Sequence, residues 1–172
     1  MGVVKGPDNS HDQRLIQLVE QYQTALLRMC YVDLQDEELA RDAVQETFLK
    51  AYKALPSFRD ECSEKTWLFS IAVNTCRSMR RSAWFRHVDR RVTPDQLPGA
   101  IPAQDDDSPE ILCEIMKLPP KLREVVMLYY WKDMSMNEIA AALHLAQSTV
   151  TARLKRAREK LRVMLERRGY RG

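Results

Sequence analysis

Apolar residues recur along most of this chain at alternating steps of three and four, the period of an amphipathic helix. No segment alternates apolar and polar positions as a half-buried strand would. Leu15, Val19, Tyr22, Leu26 and Cys30 mark one face of a helix expected over about residues 12–31. Ala40, Val44, Thr47, Ala51 and Leu55 mark a second over about residues 36–55, which Pro56 stops. A polar loop follows, and Ser63 reads as the N-cap of a third helix beginning near Glu64. Its inward side is Leu68, Ile71, Thr75 and Met79, and it ends in Arg80-Arg81. Three such stripes can bury one another as a small bundle.

The pattern collapses over residues 92–108, where Pro94, Pro98, Gly99 and Pro102 precede Asp105, Asp106 and Asp107. Prolines at that spacing forbid a helix, so this stretch reads as a flexible acidic linker. Nothing rigid would hold its carboxylates around a metal ion, so no metal site is expected there. Helical periodicity resumes at Ser108-Pro109, an N-cap followed by Pro at the first helical position. Leu118-Pro119-Pro120 interrupts it, and a helix over about residues 121–131 follows. Ser135 and Glu138 then form the S-x-x-E capping box ahead of Ile139, Ala140 and Leu143. After a turn at residues 144–147, a last helix from about Ser148 turns Val150, Leu154, Ala157, Leu161 and Leu165 inward. The expected fold is all-α: two small helical domains, residues 12–88 and 109–168, joined by a flexible linker over residues 89–108.

Composition narrows this further. With 172 residues there is room for one or two small domains, and five glycines suit helices. No apolar stretch is long enough to span a bilayer, and residues 1–12 lack the apolar core of a signal peptide. A cytoplasmic protein without direct membrane insertion is expected. Cys30, Cys62, Cys76 and Cys113 lie far apart, without zinc-binding or redox spacing. Cys30, Cys76 and Cys113 sit at apolar helical positions and read as small core residues, whereas Cys62 lies in the polar loop. Neither metal nor cofactor is called for.

The net charge of +3 is less informative than its distribution. Residues 33–64 carry nine acids against four bases; residues 77–91 carry six arginines and one acid; residues 147–172 carry nine bases against two acids. Two separated basic blocks suggest two contacts with a polyanion. The second coincides with a helix-turn-helix over residues 135–158: a capped short helix, a tight turn, and a helix opening with Ser148 and Thr149. Short side chains there let the backbone approach a groove, and Arg and Lys can take phosphates or guanine edges. In the first half, Asp42, Gln45 and Glu46 fall on neighbouring helical rows and form an acidic-polar patch. Aromatics beside arginines suit stacking on unpaired bases. Trp67 reads as core, while Trp84 and Phe85 stay open between the two roles. A catalytic Ser–Arg cluster and rigid paired carboxylates are both missing, so no enzyme is expected.

The stretch DAVQETFLKAY, residues 42–52, resembles region 2 of the extracytoplasmic-function sigma factors, as does SFRDECSEKTWLFSIAVNTCRSMRR, residues 57–81. LPPKLREVVMLYY and MSMNEIAAALHLAQSTVTARLKRAREKL are similar to their region 4. The resemblance implies an alternative sigma factor that binds core RNA polymerase and directs transcription initiation. A stand-alone helix-turn-helix regulator is the alternative; it would leave the Asp42–Phe48 patch unexplained. By resemblance, Asp42, Gln45 and Glu46 would contact the polymerase β′ clamp helices, and region 4 the β flap. Ala54, Phe58, Arg59, Lys65 and Asn74 would form a pocket for a base flipped from the −10 element. Arg77, Arg80 and Arg81 would hold its backbone. Thr151, Ala152, Lys155 and Arg156 would read the −35 duplex, Thr149, Arg153 and Arg158 would contact mainly its backbone, and Ser148 would bind it too. Thr151-Ala152 departs from the family's usual basic residue followed by Ser, and His144 stands where many helix-turn-helix proteins have Gly. An anti-sigma factor is implied as a further partner.

Overall fold

Eight-tenths of this chain can be followed as helices and their connections in a computed structural model that describes residues 9–82 and 108–169. The expected linker, apart from Ser108, lies outside the described residues, as do Trp84 and Phe85. Every regular element among the described residues is helical.

The N-terminal bundle consists of α1 (Asn9–Leu34), α2 (Glu37–Ala54) and α3 (Glu64–Arg80). Asp36 caps α2 by accepting from the Leu39 amide at 3.0 Å, and Ser63 caps α3 through the Thr66 amide at 3.1 Å. A single 3₁₀ turn, Leu55–Ser57, follows α2 where Pro56 breaks the ladder. The second helix buries the face expected of it: Ala40, Val44, Thr47, Ala51 and then Leu55. On α1 the buried face is rotated, with Leu18 rather than Val19 fully covered.

The C-terminal module is built from α4 (Pro109–Met116), α5 (Pro120–Val126), α6 (Met136–Leu143) and α7 (Gln147–Arg167). The helix expected over residues 121–131 is α5 continued by one π-type turn, Met127–Trp131. The capping box at α6 is closed in both directions: Glu138 N–H donates to Ser135 Oγ at 3.2 Å, and Ser135 N–H to Glu138 Oε2 at 2.7 Å. His144 ends α6 in the left-handed region at φ 53°, and Leu145 N–H reaches back to the Ala140 carbonyl at 3.0 Å. This is the Schellman stop that glycine usually supplies.

The two modules are packed together. α3 lies on α6, and α1 touches α4 and α5. One apolar cluster runs from Leu18 through both modules to Ala157. The end of α1 is consequently buried on every side: all seven residues from Arg28 to Leu34 are covered, although a two-layer bundle would bury only a stripe.

Polar groups fix this seam. Arg123 on α5 donates from Nε and Nη2 to Asp33 Oδ1 (3.1 and 3.0 Å), and from Nη2 to the Asp33 carbonyl (2.8 Å). Its Nη1 takes the Met116 and Leu118 carbonyls at 3.0 and 3.1 Å. The Asp33 and Met116 carbonyls lie at helix ends, where the ladder leaves acceptors unpaired and a cation is favourable, and Leu118 belongs to the turn that follows α4. One guanidinium thus caps α1 and α4 together. Asp33, an acid at the unfavourable end of α1, also accepts from Arg80 Nη1. Glu124, one per cent exposed, takes a two-pronged grip from Arg77 (2.9 and 2.8 Å) and a third bond from Arg80 (2.8 Å).

Burial lowers Arg123 to about 10, still charged at neutral pH, with the charge of Glu124 resisting the fall. Burial would raise Glu124, but hydrogen bonds and charge from Arg77 and Arg80 outweigh it and hold the carboxyl below its ordinary 4.5. Its contribution is therefore present above pH 4.5 and is lost as pH falls through the depressed native value. Urea midpoints should stay level from pH 7 down to about pH 5 and drop as the pH falls below the ordinary 4.5. Glu124→Gln should start lower at pH 7 and lose less on acidification; parallel pH curves for the two proteins would disprove this assignment.

Candidate nucleic-acid and polymerase interfaces

Three separate surfaces emerge from this frame. On α2, Asp42, Gln45 and Glu46 all face solvent, one turn from Leu49, which is 55 % exposed. Glu46 lies 3.9 Å from Lys50, a surface pair worth little. The row is therefore acidic and polar with an apolar foot, and nothing in the described residues covers it.

The second surface is a cavity of about 410 Å³ at the loop between α2 and α3, lined by Ala54, Ser57, Phe58, Arg59, Glu61, Cys62 and Trp67. Phe58 and Trp67 stack with ring centroids 4.6 Å apart and planes at 22°. Arg14 on α1 lies 5.2 Å over the Phe58 ring, bonds Asp60 at 2.8 Å, and also bonds Glu64. Its hydrogen bond to Glu64 raises the guanidinium pKa. Asp60 holds a left-handed turn at φ 55°, which Asp tolerates better than most residues. The loop is thus pinned from α1.

Ala54, Phe58 and Arg59 meet here as expected, but Lys65 and Asn74 do not. Lys65 points to the seam, where Nζ donates to the Lys132 carbonyl at 2.9 Å. Asn74 is exposed on α3, seven residues past Trp67 and so roughly 10 Å farther along the axis. Trp67, read above as core, is half-buried and forms a wall of the cavity. Arg14 was missed; no local signal links it to a loop 46 residues away.

The third surface is α7. Val150, Leu154 and Ala157 are buried, which turns Ser148, Thr151, Ala152, Lys155 and Arg156 outward, with Thr149 half-covered. Thr151 Oγ1 donates to the Gln147 carbonyl at 3.0 Å. Arg153 faces instead a basic cleft of about 580 Å³ between the modules, with Arg77, Arg80, Arg81 and Lys121. Arg158 donates from Nε to Tyr130 Oη at 2.8 Å and lies over the rings of Tyr129 and Tyr130, at 5.3 and 5.7 Å. Arg77 and Arg80, expected on the DNA backbone, are both paired across the seam with Glu124.

The Sigma-70 region 2 family matches residues 18–86, and the Sigma-70 region 4 family matches residues 108–161. The RNA polymerase sigma-H factor of Pseudomonas aeruginosa is 32 % identical over 83 % of this chain and 81 % of its own length. The ECF RNA polymerase sigma factor SigW of Bacillus subtilis is 32 % identical over 86 % and 87 %. This chain belongs to the extracytoplasmic-function sigma factors of the sigma-70 family. Two matched regions in one sigma factor also dispose of a stand-alone helix-turn-helix regulator. Among solved structures, CnrH in complex with the cytosolic domain of CnrY aligns with a TM-score of 0.69 at 30 % identity, over 90 % of this chain and 89 % of that one. RpoE of Bartonella quintana, bound to the anti-sigma factor NepR, shares the fold at TM-score 0.74 and 23 % identity, over 90 % and 98 %. No helix among this sigma factor's described residues is long and apolar enough to cross a membrane.

Arg14→Ala should loosen the cavity loop without unmaking the fold, because the lost bonds are at the surface. Amide exchange over residues 58–64 should quicken while the melting temperature changes little. Unaltered exchange there would show that Arg14 does not hold the loop.

Proposed function

We propose that region 2 of this sigma factor captures a flipped −10 base in the cavity beside Phe58 and Trp67, while region 4 reads the −35 duplex through α7. The stacked pair beside a polar-rimmed cavity of about 410 Å³ is the observation that supports this most directly. Extruding a base costs a few kcal/mol of lost stacking, and an aromatic wall with hydrogen-bonding neighbours returns it. Phe58 and Trp67 supply the wall; Arg59, Glu61 and Ser57 supply donors and acceptors that can meet a base edge. Ala54, small, leaves room at the floor. Asn74 and Lys65 take no part in this pocket; Asn74 stands where it could meet a neighbouring nucleotide.

On α7, Ser148, Thr151, Ala152, Lys155 and Arg156 face the major groove, with Arg156 suited to a guanine edge. Thr149, Arg153 and Arg158 serve the phosphates. Asp42, Gln45 and Glu46 with Leu49 dock on the β′ clamp helices, and region 4 on the β flap. An acidic row in a DNA-binding protein fits a protein partner better than a polyanion. The protein works in the cytoplasm as an initiation factor rather than an enzyme. The likeness to CnrH, solved with the cytosolic domain of CnrY, supports a polypeptide inhibitor of the anti-sigma kind.

Phe58→Ala and Trp67→Ala should cut open-complex formation by about fivefold to a hundredfold, from a stacking loss of about 1–3 kcal/mol. Both should leave polymerase and −35 duplex binding unchanged. Permanganate reactivity of −10 thymines on linear promoters measures opening, and a template premelted across the −10 element should restore part of it. Wild-type opening in both variants would remove the cavity from the mechanism. Independently, Glu46→Lys should abolish co-purification with core polymerase at little cost in stability, because the site is exposed; retained co-purification refutes the docking row.

A further inference from the structure

We propose that Tyr130 is a positioning residue for −35 recognition: its phenol oxygen and ring hold Arg158 on the flank of α7, so that the guanidinium meets a backbone phosphate already placed. The proposal rests on the reading of Arg158 as a phosphate contact.

The arrangement starts from an exception in the chain. Consecutive residues of an α-helix do not face a common neighbour. In the π-type turn Met127–Trp131, two consecutive tyrosines do. Their rings meet edge to face, with centroids 4.9 Å apart and planes at 84°. Tyr129 is half-buried against the core and gives the pair its footing, whereas Tyr130 is 49 % exposed. Arg158 spans both. Its Nε donates to Tyr130 Oη at 2.8 Å, and the guanidinium carbon lies 5.3 and 5.7 Å from the ring centres of Tyr129 and Tyr130. The bond to Tyr130 is the first reason that this guanidinium holds its proton more firmly than an ordinary arginine.

Two observations aim this assembly at DNA. Among the described residues no carboxylate pairs with Arg158, so the tyrosines fix the cation without neutralising it. A neutral hydroxyl that accepts from Nε leaves both Nη groups and the whole charge for an anion. The second observation is place. Thr151, Lys155 and Arg158 follow one another at steps of four and three along one flank of the outward face of α7. Arg158 lies eleven residues past Gln147, the first residue of α7, and so roughly 16 Å along the axis. A recognition helix reads bases from its N-terminal end, and the major groove is about 12 Å wide. A side chain that far along has left the base edges and stands over the phosphates that wall the groove. An unheld arginine gives up its rotamer freedom when it takes a phosphate. Arg158, held by a hydroxyl and two rings, has given it up on folding.

The test uses the full chain assembled with core polymerase, and a labelled −35 duplex that the wild-type holoenzyme has selected from random sequence. Tyr130→Phe removes one exposed oxygen and keeps the ring. It should weaken binding by about threefold to tenfold. Arg158→Ala should weaken binding and flatten the slope of log affinity against log salt by about one. In the Arg158→Ala background, Tyr130→Phe should cost nothing more, because it acts only through the arginine. Wild-type affinity in Tyr130→Phe overturns the proposal. So does an undiminished loss from Tyr130→Phe in the Arg158→Ala protein, which a purely structural hydroxyl would produce. If Arg158→Ala itself keeps the wild-type affinity and slope, the reading of Arg158 as a phosphate contact fails, and the proposal falls with it.

Discussion

The arrangement hangs on one guanidinium. Arg123 satisfies the orphan carbonyls at the ends of two helices that belong to different modules, and pairs with Asp33, an acid that α1 alone would hold badly. An arginine placed so deep is costly unless every donor is used. Here Nε, Nη1 and Nη2 all donate, and no lysine could reach four acceptors in two directions. Removing it would leave Asp33 buried with only Arg80, and the Met116 carbonyl at the end of α4 with only the Gln35 amide. The position of α3 against α6 follows from this joint, and the placement of Arg77 and Arg80 follows from α3.

Much of the fold could be read from periodicity. Ala40, Val44, Thr47 and Ala51 on α2, and Leu55 just after it, landed inside as spaced, and the S-x-x-E box and the Ser63 cap formed as written. The errors share one cause. Spacing gives a helix's own stripe but not what a distant module lays against its other faces, so the complete burial of Arg28–Leu34 was invisible. Arg123 and Glu124 looked like ordinary surface charges on a short helix; their partners lie 90 and 47 residues away.

The candidate site divides along the same line. Residues clustered in sequence, Ala54, Phe58 and Arg59, share the cavity, because a short loop keeps its own residues together. Lys65 and Asn74 sit on the rigid helix beyond it, where direction depends on the turn of α3. Trp67 packs against the core as its spacing implies, but it is only half-buried and also stacks on Phe58 at the cavity, a second role that spacing does not reveal. Exposure of α7 followed directly from its buried stripe, whereas the Tyr130–Arg158 bond depends on a π-type turn that no sequence period announces.

The continuous apolar cluster has a consequence for the protein's lifetime. Separating the modules would uncover an apolar collar at the end of α1, where Met29, Cys30, Tyr31 and Val32 stand in succession and Leu34 follows Asp33. Exposed contiguous apolar surface invites aggregation and protease attack. The closed chain can therefore persist as a stored molecule, while a separated chain survives only if a partner quickly covers that collar. Degradation would then fall selectively on molecules that have opened without finding one.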